Sequence, residues 1–168
     1  MLATIIGGVI TRDLKALRRE LEAYGDERQL WTLPKGVSNS PGNLAMHMAG
    51  NLQAFIGAQL GGSGYVRNRD AEFNRRDVPR AELLQQVDAA LAAVEETMPK
   101  LSDADLARPF PMPIAGVTVM SGDFLVHLAA HLTYHLGQID YHRRIVTGEA
   151  GAIAAVLPTE LSSARKAS

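Results

Sequence analysis

Four of the chain's five histidines fall within eighteen residues, VHLAAHLTYHLGQIDYHR, from Val126 to Arg143. Three of them, His127, His131 and His135, are spaced by four. On a helix turning about 100° per residue these form a single column, with Gln138 and His142 within about 20° of His131. Phe124, Leu128 and Ile139 flank the column, so it is expected to face inward, with Thr133, Asp140 and Arg144 on the opposite side. A buried imidazole without partners costs free energy. One alone is usually a core residue bonded to a carbonyl, but several in a column need a further reason. Residues four apart on a helix have Cβ atoms about 5–6 Å apart. Two such rings can converge on one ion at about 2.0–2.1 Å. His131 and His135 fit, and so do His127 and His131; the spacing does not choose between the pairs.

A third ligand should come from another helix. The fifth histidine, His47, lies in SPGNLAMHMAGNLQAF, with Asn43 and Asn51 within about 40° of it on the wheel. Gly50, Ala54 and Ala58 share that stripe, and small side chains beside polar ones leave room for a ligand. Three neutral nitrogen ligands with open positions make the layout of a catalytic metal site rather than a closed structural one. Such an ion keeps its double charge and can activate water, polarise a substrate oxygen or bind a thiol. Asn43, Asn51, Tyr134 and Gln138 are candidates to orient a substrate, and His127 is a further pocket candidate.

Several other chemistries are disfavoured. HLTYH has the zincin spacing, but Leu132 stands where the general-base Glu belongs. No inward Glu is evident on these helices, which argues against a carboxylate-bridged di-iron site. No nucleophile elbow is present. Asp140 points roughly 180° from His131 and is not assigned as a base. The absence of cysteine excludes disulfides, thiolate metal sites and thiol nucleophiles.

Four helical segments must position these residues. They run from about Leu2 to Tyr24, Pro41 to Leu60, Pro79 to Met98 and Gly122 to Thr147. Ser40 and Pro41 suit the N-cap and first position of the second. Leu84, Val87, Leu91, Val94 and Met98 form a seam on the third. Ser121 is the expected N-cap of the fourth, and Gly148 follows its end. Pro109, Pro111 and Pro113 forbid a helix between the third and fourth, leaving a long connection with a short turn at Ser102–Leu106, capped by Ser102 and Asp105. The fold class expected is all-α: a four-helix bundle of up-down type with a long connection before the last helix. Residues 1–150 form the bundle, and 151–168 a C-terminal extension.

The 168 residues carry 17 Lys+Arg and 18 Asp+Glu, a net charge of -1 without a basic stripe, which disfavours nucleic-acid binding. The charged run from Arg67 to Arg76 reads as a solvated connector. The apolar N-terminus meets charge by Arg12, too soon for a membrane span, and lacks a signal-peptide layout. A cytoplasmic protein with no membrane partner is expected. Leu125, Leu132 and Leu136 lie outside the histidine column, as a homodimer would require.

SPGNLAMHMAGN, LSDADL and GDFLVHLAAHLTYHLGQIDYHRR together resemble the DinB-like superfamily of metalloenzymes, over roughly Leu2 to Gly148. The most specific part is His131 and His135 followed by Gly137, Gln138 and Ile139. The resemblance implies a helical bundle, commonly dimeric, with a divalent metal, often nickel or zinc, on His47, His131 and His135. Many relatives carry Arg after the last ligand, where this chain has Leu136. Known branches are transferases and isomerases that use low-molecular-weight thiols, and others are described as hydrolases. A small-molecule substrate, with a thiol borrowed from solution, is therefore implied. The alternative is a non-catalytic metal-binding homodimer in which the ion ties two helices together. His142 lies about 10 Å along the axis from His135, too far to share the ion, and reads as a surface or helix-end residue.

Overall fold

A computed structural model describes the chain apart from residues 152, 154, 155, 167 and 168, which belong to the expected C-terminal extension. Its elements are α1 (Leu2–Glu22), α2 (Pro41–Leu52), α3 (Arg69–Asn74), α4 (Arg80–Thr97), α5 (Asp103–Leu106) and α6 (Ser121–Thr147). The fold is all-helical, and only isolated bridges in the connection before α6 have extended pairing among the described residues.

Local chemistry explains the boundaries. Ser40 Oγ accepts the Asn43 amide at 3.3 Å, and Pro41 fills the first turn of α2. Gly148 takes the left-handed conformation, φ 74°, and its N–H closes α6 on the Arg144 carbonyl at 3.0 Å. Ser121 is the first residue of α6 rather than its cap, which is Met120. Ser102 and Asp105 form the expected reciprocal cap of α5. The α pattern of the second segment stops at Leu52. Residues Gln53–Ala58 continue it as a π-helical turn, with Gln59 N–H donating to the Ala54 carbonyl at 3.0 Å.

Long helices α1, α4 and α6 with α2 and its π turn enclose one core. Ile10, Leu14, Leu17 and Leu21 of α1 meet Leu83, Val87, Ala90 and Val94 of α4 and Leu125, Leu128, Leu132 and Ile139 of α6. The α4 seam is thus turned slightly from the expected one, with Leu84 and Leu91 packed at its edge. Contacts fix the directions. Asp13 meets Thr133 and Glu20 meets Arg143, so α1 and α6 run parallel. Lys15 pairs with Glu95 and Arg18 with Asp88, so α4 opposes α1. Met46 shares a cavity with Gln85 and Gln86, whereas Gly61 packs on Thr97, so α2 and α4 are parallel. The expected up-down bundle is refined accordingly. Two parallel neighbours in sequence need a connection that travels the bundle's length, and residues 59–79, which include α3, supply it.

Charges inside the bundle pin α1 to α6. Arg143 and Glu20 are fully buried, with Nε to Oε2 at 2.6 Å, and Arg143 also meets Asp140 and the Gly151 carbonyl. The described part of the extension returns to α1 through Glu160 and Arg19 at 3.2 Å. Leu125, Leu132 and Leu136 are buried within this one chain and do not form an outer face, so the argument for a dimer from them fails. The apolar residues that α6 leaves exposed are Val126, Tyr134, Tyr141 and Ile145. No described helix is long and apolar enough to cross a membrane.

Candidate metal centre

The second bundle helix and α6 run antiparallel, which sets His47 opposite His131 and His135. Leu44 of α2 shares a cavity with Gln138 and His142, and Phe55 of the π turn packs on Phe124 at 5.0 Å between centroids. Between these contacts the His47 ring lies 5.3 Å from that of His131 and 5.6 Å from that of His135, edge-on to both. One nitrogen from each of the three rings lies within 4.8 Å of the other two. The three residues carried over from the resemblance are therefore brought together.

The donor chemistry of these nitrogens suits a cation. His135 Nδ1 lies 2.7 Å from Gln138 Oε1, an oxygen that can only accept, so that nitrogen carries the hydrogen. His135 Nε2 is then a lone pair, and it lies 3.0 Å from His131 Nε2. Two lone pairs do not face each other at that distance without a proton or a cation between them. On the other side, His47 Nδ1 lies 2.9 Å from Glu72 Oε2. Arg67 approaches the same nitrogen at 3.1 Å, but its Nε and Nη2 are already given to the Glu72 oxygens at 2.7 and 2.8 Å. We assign the Nδ1 hydrogen to the bond with Glu72, which leaves His47 Nε2 for the shared point. A carboxylate behind a ligating imidazole fixes its tautomer and raises its basicity.

Electrostatics keep His131 and His135 unprotonated. Burial pushes His131 down to about 4, helped by the neighbouring His135, His47, His127 and Arg67. Burial also lowers His135, against the bond to Gln138, which acts the other way. Burial would raise Glu72, but the hydrogen bonds from Arg67 and His47 outweigh it and hold this carboxyl below its usual range. At neutral pH His131 and His135 thus stand as uncharged imidazoles in a site that holds an ionised Glu72.

Glu72 and Arg67 were not foreseen. They lie in the run from Arg67 to Arg76, expected as a solvated connector, yet Glu72 is 5% exposed. The segment forms α3 and folds back over α2, and Phe73 packs on the His47 ring at 4.8 Å. An available signal was Asn68, whose side chain caps α3 by accepting the Ala71 N–H at 3.0 Å, followed by acidic residues at 70 and 72. The expected room along Gly50 is also taken by this carboxylate. A Cβ on Gly50 would lie 2.3 Å from Glu72 Oε1. The carboxylate comes from α3, outside the helices on which no inward Glu was expected.

The remaining candidates separate. Asn43 holds α3 in place, donating to the carbonyls of Glu72 at 2.8 Å and Arg75 at 3.1 Å, so it is not free to bind a substrate. Gln138 serves His135. Tyr134 is 65% exposed, with its ring edge-to-face with His135 at 5.2 Å between centroids. His127 is exposed and stacks between Phe124 and His131, at 5.8 Å from each. Asn51 is 8% exposed, and its Oδ1 has no hydrogen-bond partner among the described residues. His142 is a buried core residue, contrary to expectation. Its Nδ1 meets the Tyr24 hydroxyl and its Nε2 the Thr32 carbonyl, both at 2.9 Å. Asp140 pairs with Arg143 and Arg144, away from the site, as expected.

A family model described as the DinB superfamily matches residues 10–139. That span holds the three histidines, Arg67, Glu72 and Gln138. No curated protein matches the chain.

Proposed function

The chain belongs to the DinB superfamily, and from that premise we propose that it is a metal-dependent enzyme acting on a small molecule through His47, His131 and His135. One observation carries the reading: three imidazole nitrogens within 4.8 Å of one another, two of the rings fixed from behind by Glu72 and Gln138. A divalent ion there, nickel or zinc in this reading, supplies a Lewis acid that polarises a bound oxygen or sulfur and lowers the pKa of water towards about 7. The protein's part is to hold His131 and His135 neutral and to fix the tautomers of His47 and His135. Glu72 takes the His47 Nδ1 hydrogen, and Arg67 balances the charge of Glu72. Burial keeps His131 unprotonated well below neutrality.

The reaction fits a thiol-dependent transferase or isomerase, or a hydrolase. The chain has no cysteine, so a thiol would come from solution, which accords with a reducing cytoplasm. The test is turnover by untagged, metal-loaded protein with glutathione, bacillithiol or mycothiol and electrophilic acceptors, alongside an ester panel. Activity with one of these, lost on chelation and in His131→Ala, supports the reading. No turnover across both panels contradicts it.

The second reading is a metal-stabilised homodimer without catalysis, favoured by Val126, Tyr134, Tyr141 and Ile145, exposed on one helix. Chelation separates the two. A structural ion removed from the protein takes much of the folding stability with it. An ion in a preformed bundle lowers the melting temperature on removal only by its binding linkage, and the metal-free protein still unfolds cooperatively from a folded bundle.

A further inference from the structure

We infer that the cavity between α2 and α6, lined by Val37, Leu44, Gln138, Tyr141 and Ile145, holds an uncharged apolar chain of the molecule that reacts at the three histidines. The inference rests on the metal-enzyme reading and deepens it by naming the substrate class, a small neutral compound with an aliphatic tail.

The cavity continues the metal centre along the same two helices. Leu44 lies one turn from His47 on α2, and Gln138 one turn from His135 on α6, about 4.5 Å of rise in each case. Leu44 and Gln138 both line the cavity, and Gln138 Oε1 also holds His135 Nδ1 at 2.7 Å. Pro41, Tyr141 and Ile145 carry the lining further along both helices, and Val37 adds the loop before α2. The volume is about 280 Å³, at the small end of ligand sites. No lysine, arginine, aspartate or glutamate lines it. His142, the one histidine in the lining, is held neutral by burial, and both its nitrogens are spent on Tyr24 and Thr32. A charged substituent would therefore find no counter-charge in the cavity. Val37, Tyr141 and Ile145 are exposed apolar surface, which a chain laid along the groove would take out of water. The turn of helix between the ligand nitrogens and the cavity sets the length. A molecule held at the histidines needs a tail of several carbons to enter.

The probes are acetohydroxamate and octanohydroxamate, which share a zinc-chelating head and differ in chain length, titrated calorimetrically into the untagged, zinc-loaded full chain. Each methylene that leaves water strengthens binding about threefold, so three of them in the cavity make octanohydroxamate about 30-fold tighter. Ile145→Asp puts a charge on the exposed rim and should remove about tenfold of that gain, with zinc content and acetohydroxamate affinity as in the parent. Val126→Asp, exposed on the same helix outside the cavity, should leave both affinities unchanged. Equal binding of the two hydroxamates, or an equal loss in Val126→Asp, would overturn the inference. So would a gain that survives Ile145→Asp, and a dimer lost in that variant would then give the face to a second copy of the chain. Failure to hold zinc would defeat the metal reading separately. Octanamide, which keeps the chain without the chelating head, decides the cavity in metal-free protein: binding that Ile145→Asp weakens supports the inference, and no binding overturns it.

Discussion

At the scale of single residues, the groups behind the ligands do as much as the ligands. Glu72 accepts from His47 and is neutralised by Arg67, so the carboxylate raises the basicity of one imidazole without leaving a bare charge inside the protein. Glu72→Gln keeps an acceptor oxygen but loses the charge. We predict that it lowers zinc affinity by about 10- to 100-fold, measured by competition with a chelating dye. Unchanged affinity would remove Glu72 from the site. His142 tests the opposite kind of histidine. His142→Phe leaves the Tyr24 hydroxyl and Thr32 carbonyl without this partner and should cost about 1–3 kcal/mol in urea unfolding, with metal affinity unaltered. The histidine column was legible because one uncommon residue type recurs at helical spacing. Ring partners were not, since spacing cannot tell Gln138 behind His135 from His142 against Thr32.

At the scale of elements, the caps and apolar periods foretold the four main helices, and the misses fall where tertiary contacts decide. The π turn after Leu52 has no signal in hydrophobic spacing, yet it sets the register in which Phe55 reaches Phe124. The short helix α3 looked like solvent-facing charge because its burial depends on an absent side chain elsewhere, that of Gly50. Gly50→Ala therefore probes the element rather than the residue. Alanine is the better helix former by about 1 kcal/mol. Its methyl would nevertheless occupy the place of the Glu72 carboxylate and push α3 outward. The expected outcome is a fall in metal affinity similar to that of Glu72→Gln. A variant that binds zinc as the parent does would show that α3 can shift without disturbing His47.

At the scale of the whole molecule, one bundle carries both a buried ionic pin and three histidines, His131, His135 and His142, that burial holds uncharged, and the two respond differently to conditions. Removing the arginine of the Arg143–Glu20 pair, as in Arg143→Met, leaves the buried Glu20 beside Asp140 without the cation that neutralises it and should cost about 3–5 kcal/mol. The histidines govern acid stability of the metal-free protein. His131, His135 and His142 are all held below their ordinary value of 6.5 by burial. Below that value the unfolded chain binds protons that the folded chain refuses, so stability falls as pH drops from about 6.5 towards 4. Melting temperatures across that range should decline, and bound zinc should oppose the decline near neutrality. The all-helical architecture was readable from the chain alone, whereas the parallel course of α2 and α4 emerged only from contacts between them. Metal content of untagged protein, measured by elemental analysis in the parent and in His47→Ala, tests the central claim most directly. The account predicts one divalent ion per parent chain and its loss in the variant. A parent without metal, or a variant that keeps it, would contradict the three-histidine centre.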